Sequence, residues 1–165
     1  MRARLRRPAA PPAPAAKVSA LPRLEECFLR LDAVRHLVRD LLGCECPEEV
    51  FDDILVAFPA SLGPRGKHGA RSVVPGSVKL VVGGRLLVVL VPVAGRGDIA
   101  KEARALLVRG RATRDQCGLN RFRLVLVGVV PADVLRRLQA AAARVDERTH
   151  VHAVSAGRLS RRGAG

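Results

Sequence analysis

The chain has 165 residues, of which 48% are hydrophobic, and its formal net charge is +14. This length allows one well-buried domain with tails, and the hydrophobic fraction excludes a chain that is disordered throughout. The longest apolar stretch, residues 86–94, is about half as long as a membrane span requires, so we expect no contact with a membrane.

Charge is segregated along the chain. Residues 1–24 carry a net charge of +6, residues 25–58 carry −6, and residues 59–165 carry +14. We expect residues 1–20, which are basic and rich in Ala and Pro, to form a disordered arm because they cannot bury an apolar face. The domain boundaries that we predict follow this pattern. We expect a single α/β domain over 21–155, followed by a flexible basic tail at 156–165. The domain has an acidic helical part at 21–58 and a basic sheet-and-helix part at 77–155.

Apolar spacing predicts two helices in the acidic part. Apolar residues recur at i, i+3 and i+4 over 23–42, and Gly43 follows as a stop signal. A second, shorter helix is predicted over 48–57, because Pro47 suits a helix start and Pro59 ends the pattern. These two helices form the N-terminal helical pair of the predicted fold.

A β-hairpin follows a loop rich in Gly and Pro at 59–77. Two β-branched and Leu-rich runs, 78–82 and 85–91, are joined by Gly83-Gly84, which is typical of a tight hairpin. The second run lacks polar alternation, so we expect a central strand that is buried on both faces.

Helices and strands then alternate. The predicted elements are a helix over 98–109 with Asp98 as N-cap and Gly110 as stop, a polar loop at 110–120, a strand over 121–130, a helix over 131–145 and a strand over 149–154. The order α-α-β-β-α-β-α-β predicts an α/β (α+β) fold with a mixed sheet covered by helices.

The arginine content suggests a phosphate-rich partner. The chain has 25 Arg against 4 Lys, and the planar guanidinium group matches phosphate oxygens two at a time. A gene biased toward G and C would also raise the Arg count, and the sequence leaves this alternative open. Two loops concentrate the candidate phosphate contacts. They are Arg65, Lys67 and Arg71 in the first loop, and Arg109, Arg111, Arg114, Arg121 and Arg123 in and around the second.

Because the chain has no Tyr or Trp, base stacking is poorly supported. The leading hypothesis is therefore a non-enzymatic protein that contacts the phosphate backbone of structured RNA or duplex DNA, as a subunit of a larger complex. We expect an intracellular protein, in the nucleus or another nucleoprotein compartment. A mitochondrial location is the alternative, because the arm has the composition of a presequence.

No complete catalytic, cofactor or metal motif is found in the sequence. The phosphate-binding G-x-x-x-x-G-K-[ST] and nucleophilic G-x-S-x-G patterns are absent. Cys44-x-Cys46 and His150-x-His152 could supply zinc ligands, but the sequence does not bring the two pairs together. We therefore predict no enzymatic activity, no cofactor and no metal. The acids available to an unrecognised enzymatic site are Asp98, Glu102 and Asp115.

The element order resembles the core of the restriction-endonuclease-like superfamily. Members of that superfamily place an acid on one strand and an E-x-K motif on the next, where they hold a divalent metal. This chain has Leu90-Val91-Pro92 at the matching position and no acid between Asp53 and Asp98. The resemblance therefore implies a catalytically degenerate nuclease-like domain, which is one alternative function.

A protein-interaction or scaffold subunit is the other alternative. The amphipathic helix at 23–42 would then be an interface helix, with Phe28, Leu31 and Val38 facing a partner. The acidic part at 21–58 would either dock on a protein partner or shield the basic face when the ligand is absent. Exposure of the three apolar side chains separates this alternative from nucleic-acid binding.

Overall fold

The computed structural model describes residues 24–28, 30–63 and 72–160. Its strands are β1 (Ile54–Ala57), β2 (Ala60–Leu62), β3 (Ser72–Val74), β4 (Val78–Val82), β5 (Leu86–Pro92), β6 (Arg121–Val127) and β7 (Thr149–Val154). Five of them form a mixed sheet in the order β1-β4-β5-β6-β7, and β2 pairs with β3 in a small separate sheet. Strand β4 is antiparallel to both of its neighbours, β1 and β5, whereas β5, β6 and β7 run parallel to one another.

Helices cover both faces of the five-stranded sheet. They are α1 (Leu24–Cys27), α2 (Leu31–Arg35) continued by a π-helix (His36–Leu41), a 3₁₀-helix (Glu48–Asp52), α3 (Ile99–Gln116), α4 (Ala132–Val145) and α5 (Ala156–Leu159). None of these described helices is both long and apolar enough to cross a membrane. The mixed sheet between helical layers confirms the predicted α/β class.

Alternation along the strands divides the core into two halves. Leu86, Val88 and Leu90 of β5 pack against residues 24–51 and against α5 on what we call the N-terminal face. The residues between them pack against α3, α4 and the β2–β3 sheet on what we call the crossover face. Both helices of the parallel crossovers therefore lie on one side of the sheet, and most of the acidic segment lies on the other.

The hairpin prediction is confirmed in its essentials. Strands β4 and β5 pair antiparallel, and Gly83 and Gly84 both have positive φ, at 58° and 59°. L-residues with side chains rarely adopt this conformation, which explains the two glycines. All residues from Leu86 to Val91 are buried, as the absence of polar alternation predicts for a central strand.

The predicted helix over 48–57 is wrong. One 3₁₀ turn ends at Asp52, and Ile54–Ala57 form β1, which pairs antiparallel with β4. Ile54 and Val56 pack on the N-terminal face, whereas Leu55 is 65% exposed. The same apolar residues fit a period of two as well as a helical period, and pairing with β4 decides between them.

The predicted stop at Gly110 is also wrong, because α3 continues to Gln116 through most of the predicted loop. A Cβ atom built on Gly110 would lie within 2.8 Å of three atoms of the Phe122 ring. Gly110 therefore allows close packing of α3 on β6 and does not end the helix. The N-cap prediction is confirmed, since Asp98 Oδ1 accepts a hydrogen bond from the Lys101 amide at 3.0 Å.

The chain ends differ in part from the predictions. The helix predicted over 23–42 is interrupted at Arg30, which has extended backbone angles, and its second half is a π-helix. The tail predicted to be flexible begins with the short helix α5, whose Leu159 is buried. The arm at 1–20 lies outside the described residues.

Candidate nucleic-acid interface

The structure does not gather the predicted phosphate contacts into one patch. Arg65, Lys67 and Arg71 lie outside the described residues. The remaining five differ in exposure, because Arg111 and Arg121 are exposed, Arg109 is half-buried, and Arg114 and Arg123 are buried. The prediction that all five line one surface is therefore wrong, and the reasons lie in the contacts of the two buried arginines.

Arg114 ties α3 to the start of β7. It is 1% exposed and donates to both carboxylate oxygens of Asp146 at 2.9 Å, to Asp115 Oδ1 at 2.6 Å and to Thr149 Oγ1 at 3.1 Å. Burial alone would lower the pKa of Arg114, but the hydrogen bonds with the two carboxylates outweigh it and raise that pKa. The same contacts hold the pKa of Asp146 below its ordinary value, although burial opposes this shift. Arg114 is thus a structural residue.

Arg123 is buried on the N-terminal face, where it is 8% exposed. Its Nη1 donates to the carbonyl oxygens of Phe122 at 3.1 Å and Arg148 at 3.2 Å. Burial lowers the pKa of Arg123, and the neighbouring thiol of Cys44 opposes this shift. Because its donors face the protein interior, Arg123 holds β6 and β7 together and does not contribute to an exposed phosphate site.

The cysteine and histidine pairs of the sequence both come close to Arg123. Burial, followed by the charges of Arg123 and His150, lowers the pKa of His152 to about 4. Burial and the neighbouring Cys44 raise the pKa of Cys46. Within residues 24–28, 30–63 and 72–160, no three His, Cys, Asp or Glu side chains are placed to hold a metal ion. We interpret this cluster as packing around a buried cation.

Each acid considered for an enzymatic site has a structural contact. Asp98 caps α3, Glu102 forms an ion pair with Arg96, and Asp115 binds Arg114. At the end of β5, where the nuclease resemblance expects E-x-K, Arg96 Nε donates to the Pro92 carbonyl oxygen at 2.6 Å. The described part of this region therefore offers no pair of free acids, and a degenerate nuclease stays a hypothesis.

The predicted partner interface is mostly core. Phe28 is 2% exposed and Val38 is fully buried, whereas Leu31 is 40% exposed. The helix thus packs its apolar side on the N-terminal face and does not present it to a partner. Most of this acidic segment lies on the sheet face opposite α3 and α4, so it does not cover those helices. Shielding of the basic face by this segment stays a hypothesis.

Exposed cations instead cover the outer side of α3 and α4. We call this the basic surface, and its members are Lys101, Arg104, Arg111, Arg136, Arg137 and Arg144. Arg137 pairs with Asp133 at 2.6 Å, and Arg111 lies 3.5 Å from Asp146. The other four have no carboxylate oxygen within 4.0 Å among the described residues. These four cations are spaced along α3 and α4 with a helical period, on the side of each helix opposite its apolar residues. This periodicity is a signal that our sequence analysis missed.

Three more exposed arginines line the sheet edge where the parallel strands begin. Arg85, Arg121 and Arg148 directly precede or begin β5, β6 and β7. The Arg121 amide donates to the Arg85 carbonyl at 3.1 Å, and the Phe122 amide donates to the Arg148 carbonyl at 2.9 Å, so these strand starts are adjacent. This amino edge also receives the carboxyl ends of α3 and α4, and it therefore adjoins the basic surface.

No protein-family model, curated protein or solved structure matches this chain.

Proposed function

We propose that the protein binds the phosphate backbone of a duplex or structured nucleic acid through the basic surface, with the amino edge as its extension. The observation that carries this proposal is the set of four exposed cations, Lys101, Arg104, Arg136 and Arg144, which lack carboxylate partners in the described part of the chain. Clustered cations repel one another, and a polyanion that neutralises them releases its own counterions, which favours binding.

The side chains available favour backbone contact over base recognition. Phe28, Phe51 and Phe122 are buried, and Phe58 follows β1 near the opposite edge of the sheet. The chain has no Tyr or Trp, so aromatic stacking on the basic surface has no support. Arginines on two neighbouring helices suit the regularly spaced phosphates of a duplex.

The separation of charge supports membership in a larger complex. Exposed acids lie on the N-terminal segment, on the side of the molecule away from the basic surface, and they include Asp32, Asp40, Glu45, Glu49 and Asp52. A basic protein partner could dock there while the basic surface binds nucleic acid, because the two sites do not overlap.

The test is a binding titration across a salt series with duplex RNA, duplex DNA and single-stranded RNA. The variant replaces Arg104, Arg136 and Arg144 with Gln, and the control replaces Arg30 and Arg158, two exposed arginines away from the basic surface. For duplex DNA, each lost phosphate contact should reduce the slope of log affinity against log salt by about 0.9, or about 2.7 in all. The control should match the wild type.

Two results would overturn the proposal. One is a wild-type affinity that does not fall with salt for any of the three polymers. The other is an equal loss of slope per arginine removed in the variant and the control, which would indicate diffuse attraction to the net charge and no defined surface. Preference for single-stranded RNA would contradict the backbone argument, because it would require stacking platforms.

A further inference from the structure

The two outer strands of the five-stranded sheet, β1 and β7, differ in whether their outward backbone groups are hydrogen-bonded. At β7, Gln139 Nε2 donates to the Val151 carbonyl oxygen at 3.2 Å, and the Thr149 amide donates to the Asp146 carbonyl oxygen at 3.4 Å. These contacts occupy backbone groups that would otherwise face outward. At β1, no comparable cap is found among the described residues. Exposed strand edges are templates for pairing with another strand, and folded proteins usually protect them.

The hydrogen bonds between β1 and β4 show which backbone groups of β1 point away from the sheet. The Gly83 amide donates to the Asp53 carbonyl oxygen at 2.7 Å, and Leu55 lies opposite Val81 in the register. Because backbone groups alternate sides along a strand, Leu55 directs its amide and carbonyl toward β4. Ile54 and Val56 therefore direct theirs away from the sheet, toward the free side of β1.

The side chains of β1 do not discourage pairing. The strand Ile54–Ala57 contains no Lys, Arg or Pro, the residues that commonly protect an edge. Leu55 is 65% exposed on the crossover face, and Phe58, directly after the strand, is 42% exposed. The edge thus combines open backbone groups with exposed apolar side chains.

We propose that β1 pairs antiparallel with β1 of a second copy of this chain, about a twofold axis at Leu55. In this register, Ile54 of one copy lies opposite Val56 of the other, so the outward groups of both residues are satisfied reciprocally. Leu55 lies opposite its own counterpart on one face, and Asp53 lies opposite Ala57, so no like charges face each other directly. The strand is self-complementary, which favours a second copy over an unrelated strand.

The placement of the two basic surfaces agrees with a second copy as the partner of β1. Side chains directly opposite each other in antiparallel strands share a face, so both crossover faces lie on the same side of a continuous ten-stranded sheet. With strands about 4.8 Å apart, equivalent crossover helices are roughly 30–40 Å apart, close to one turn of B-DNA at about 34–36 Å. This consequence rests on the proposed function, whereas the dimer itself does not.

The first test is disulfide trapping without nucleic acid. Leu55→Cys is made in a Cys117→Ser background, because Cys117 is an exposed native thiol. Directly opposed residues of a non-hydrogen-bonded antiparallel pair have Cα atoms about 4.5 Å apart, within the range of about 4.4–6.8 Å for a disulfide. Mild oxidation should yield a cross-linked dimer. The matched control is Val108→Cys in the same background, since Val108 is 69% exposed on α3.

The second test is sedimentation of the full chain over a wide concentration range. The wild type should show a monomer–dimer equilibrium, Leu55→Lys should shift it to the monomer, and Val108→Lys should leave it unchanged. Equal cross-linking rates for the two cysteine variants, or a wild type that stays monomeric at high concentration, would overturn the proposal. Loss of nucleic-acid binding with dimerisation intact would affect only the proposed function.

Discussion

Replacing Gly110 with Ala tests whether close packing on Phe122, and not helix termination, explains this glycine. In an exposed helix interior, Ala is more favourable than Gly by about 1 kcal/mol. Here the new Cβ would lie within 2.8 Å of three ring atoms of Phe122, which is fully buried and cannot move aside. Overpacking of this kind costs about 3 kcal/mol at the upper end of its usual range. We therefore expect a net destabilisation of about 2 kcal/mol.

Urea unfolding at equilibrium measures this change, and thermal unfolding should show a decrease in Tm of roughly 4–8 °C for a chain of this size. In a Phe122→Leu background, the ring atoms that meet the new Cβ are gone, so Gly110→Ala should become neutral or stabilising. The control is Gly157→Ala in α5, where a Cβ would meet no atom within 4 Å. If Gly110→Ala is stabilising, or costs the same in both backgrounds, the packing argument is refuted.

Two further predictions concern ionisable groups. Asp146→Asn removes one of the two carboxylates beside the buried Arg114, so the free energy of unfolding at neutral pH should fall by about 3 kcal/mol. Because the pKa of Asp146 is held below its ordinary value, the carboxylate should stabilise the wild type above about pH 4. This contribution should disappear as the pH falls further in a urea–pH series. The pKa of His152 is lowered to about 4, so the folded state binds its proton less readily than the unfolded state, and stability should fall between about pH 6.5 and pH 4. Discounted for partial exposure of the ring, the loss of stability should be about 1–2 kcal/mol, and His152→Gln should remove it. If the stability of either variant depends on pH as that of the wild type does, the role given to Asp146 or His152 is contradicted.

Local signals were sufficient for much of the fold. The continuous apolar run of β5, the apolar periodicity of α4 and the Asp98 cap depend on residues close in sequence. Strand β5, helix α4 and the start of α3 form where they were predicted. The strand over 149–154 also has its predicted bounds. In these segments the intrinsic preference of the chain and its tertiary surroundings agree.

The candidate site was less predictable, because exposure of a charged side chain depends on distant partners. Arg111 and Arg114 are three residues apart in the same helix, yet one is exposed and the other is enclosed by Asp146 and Thr149, more than thirty residues away. Sequence proximity to a loop therefore did not identify the accessible cations. Helical periodicity would have identified Arg104 and Arg136 as outward residues.

By itself, the sequence determined the α/β class, the positions of the strongly patterned helices and strands, and the excess of positive charge. These properties follow from composition and from interactions within a few residues, which any local segment carries with it. Only the tertiary structure decided that Ile54–Ala57 form a strand, that Gly110 lies inside a helix, and which arginines remain exposed. Each of these depends on a partner distant in sequence, whose packing or pairing energy outweighs a local preference of about 1 kcal/mol or less.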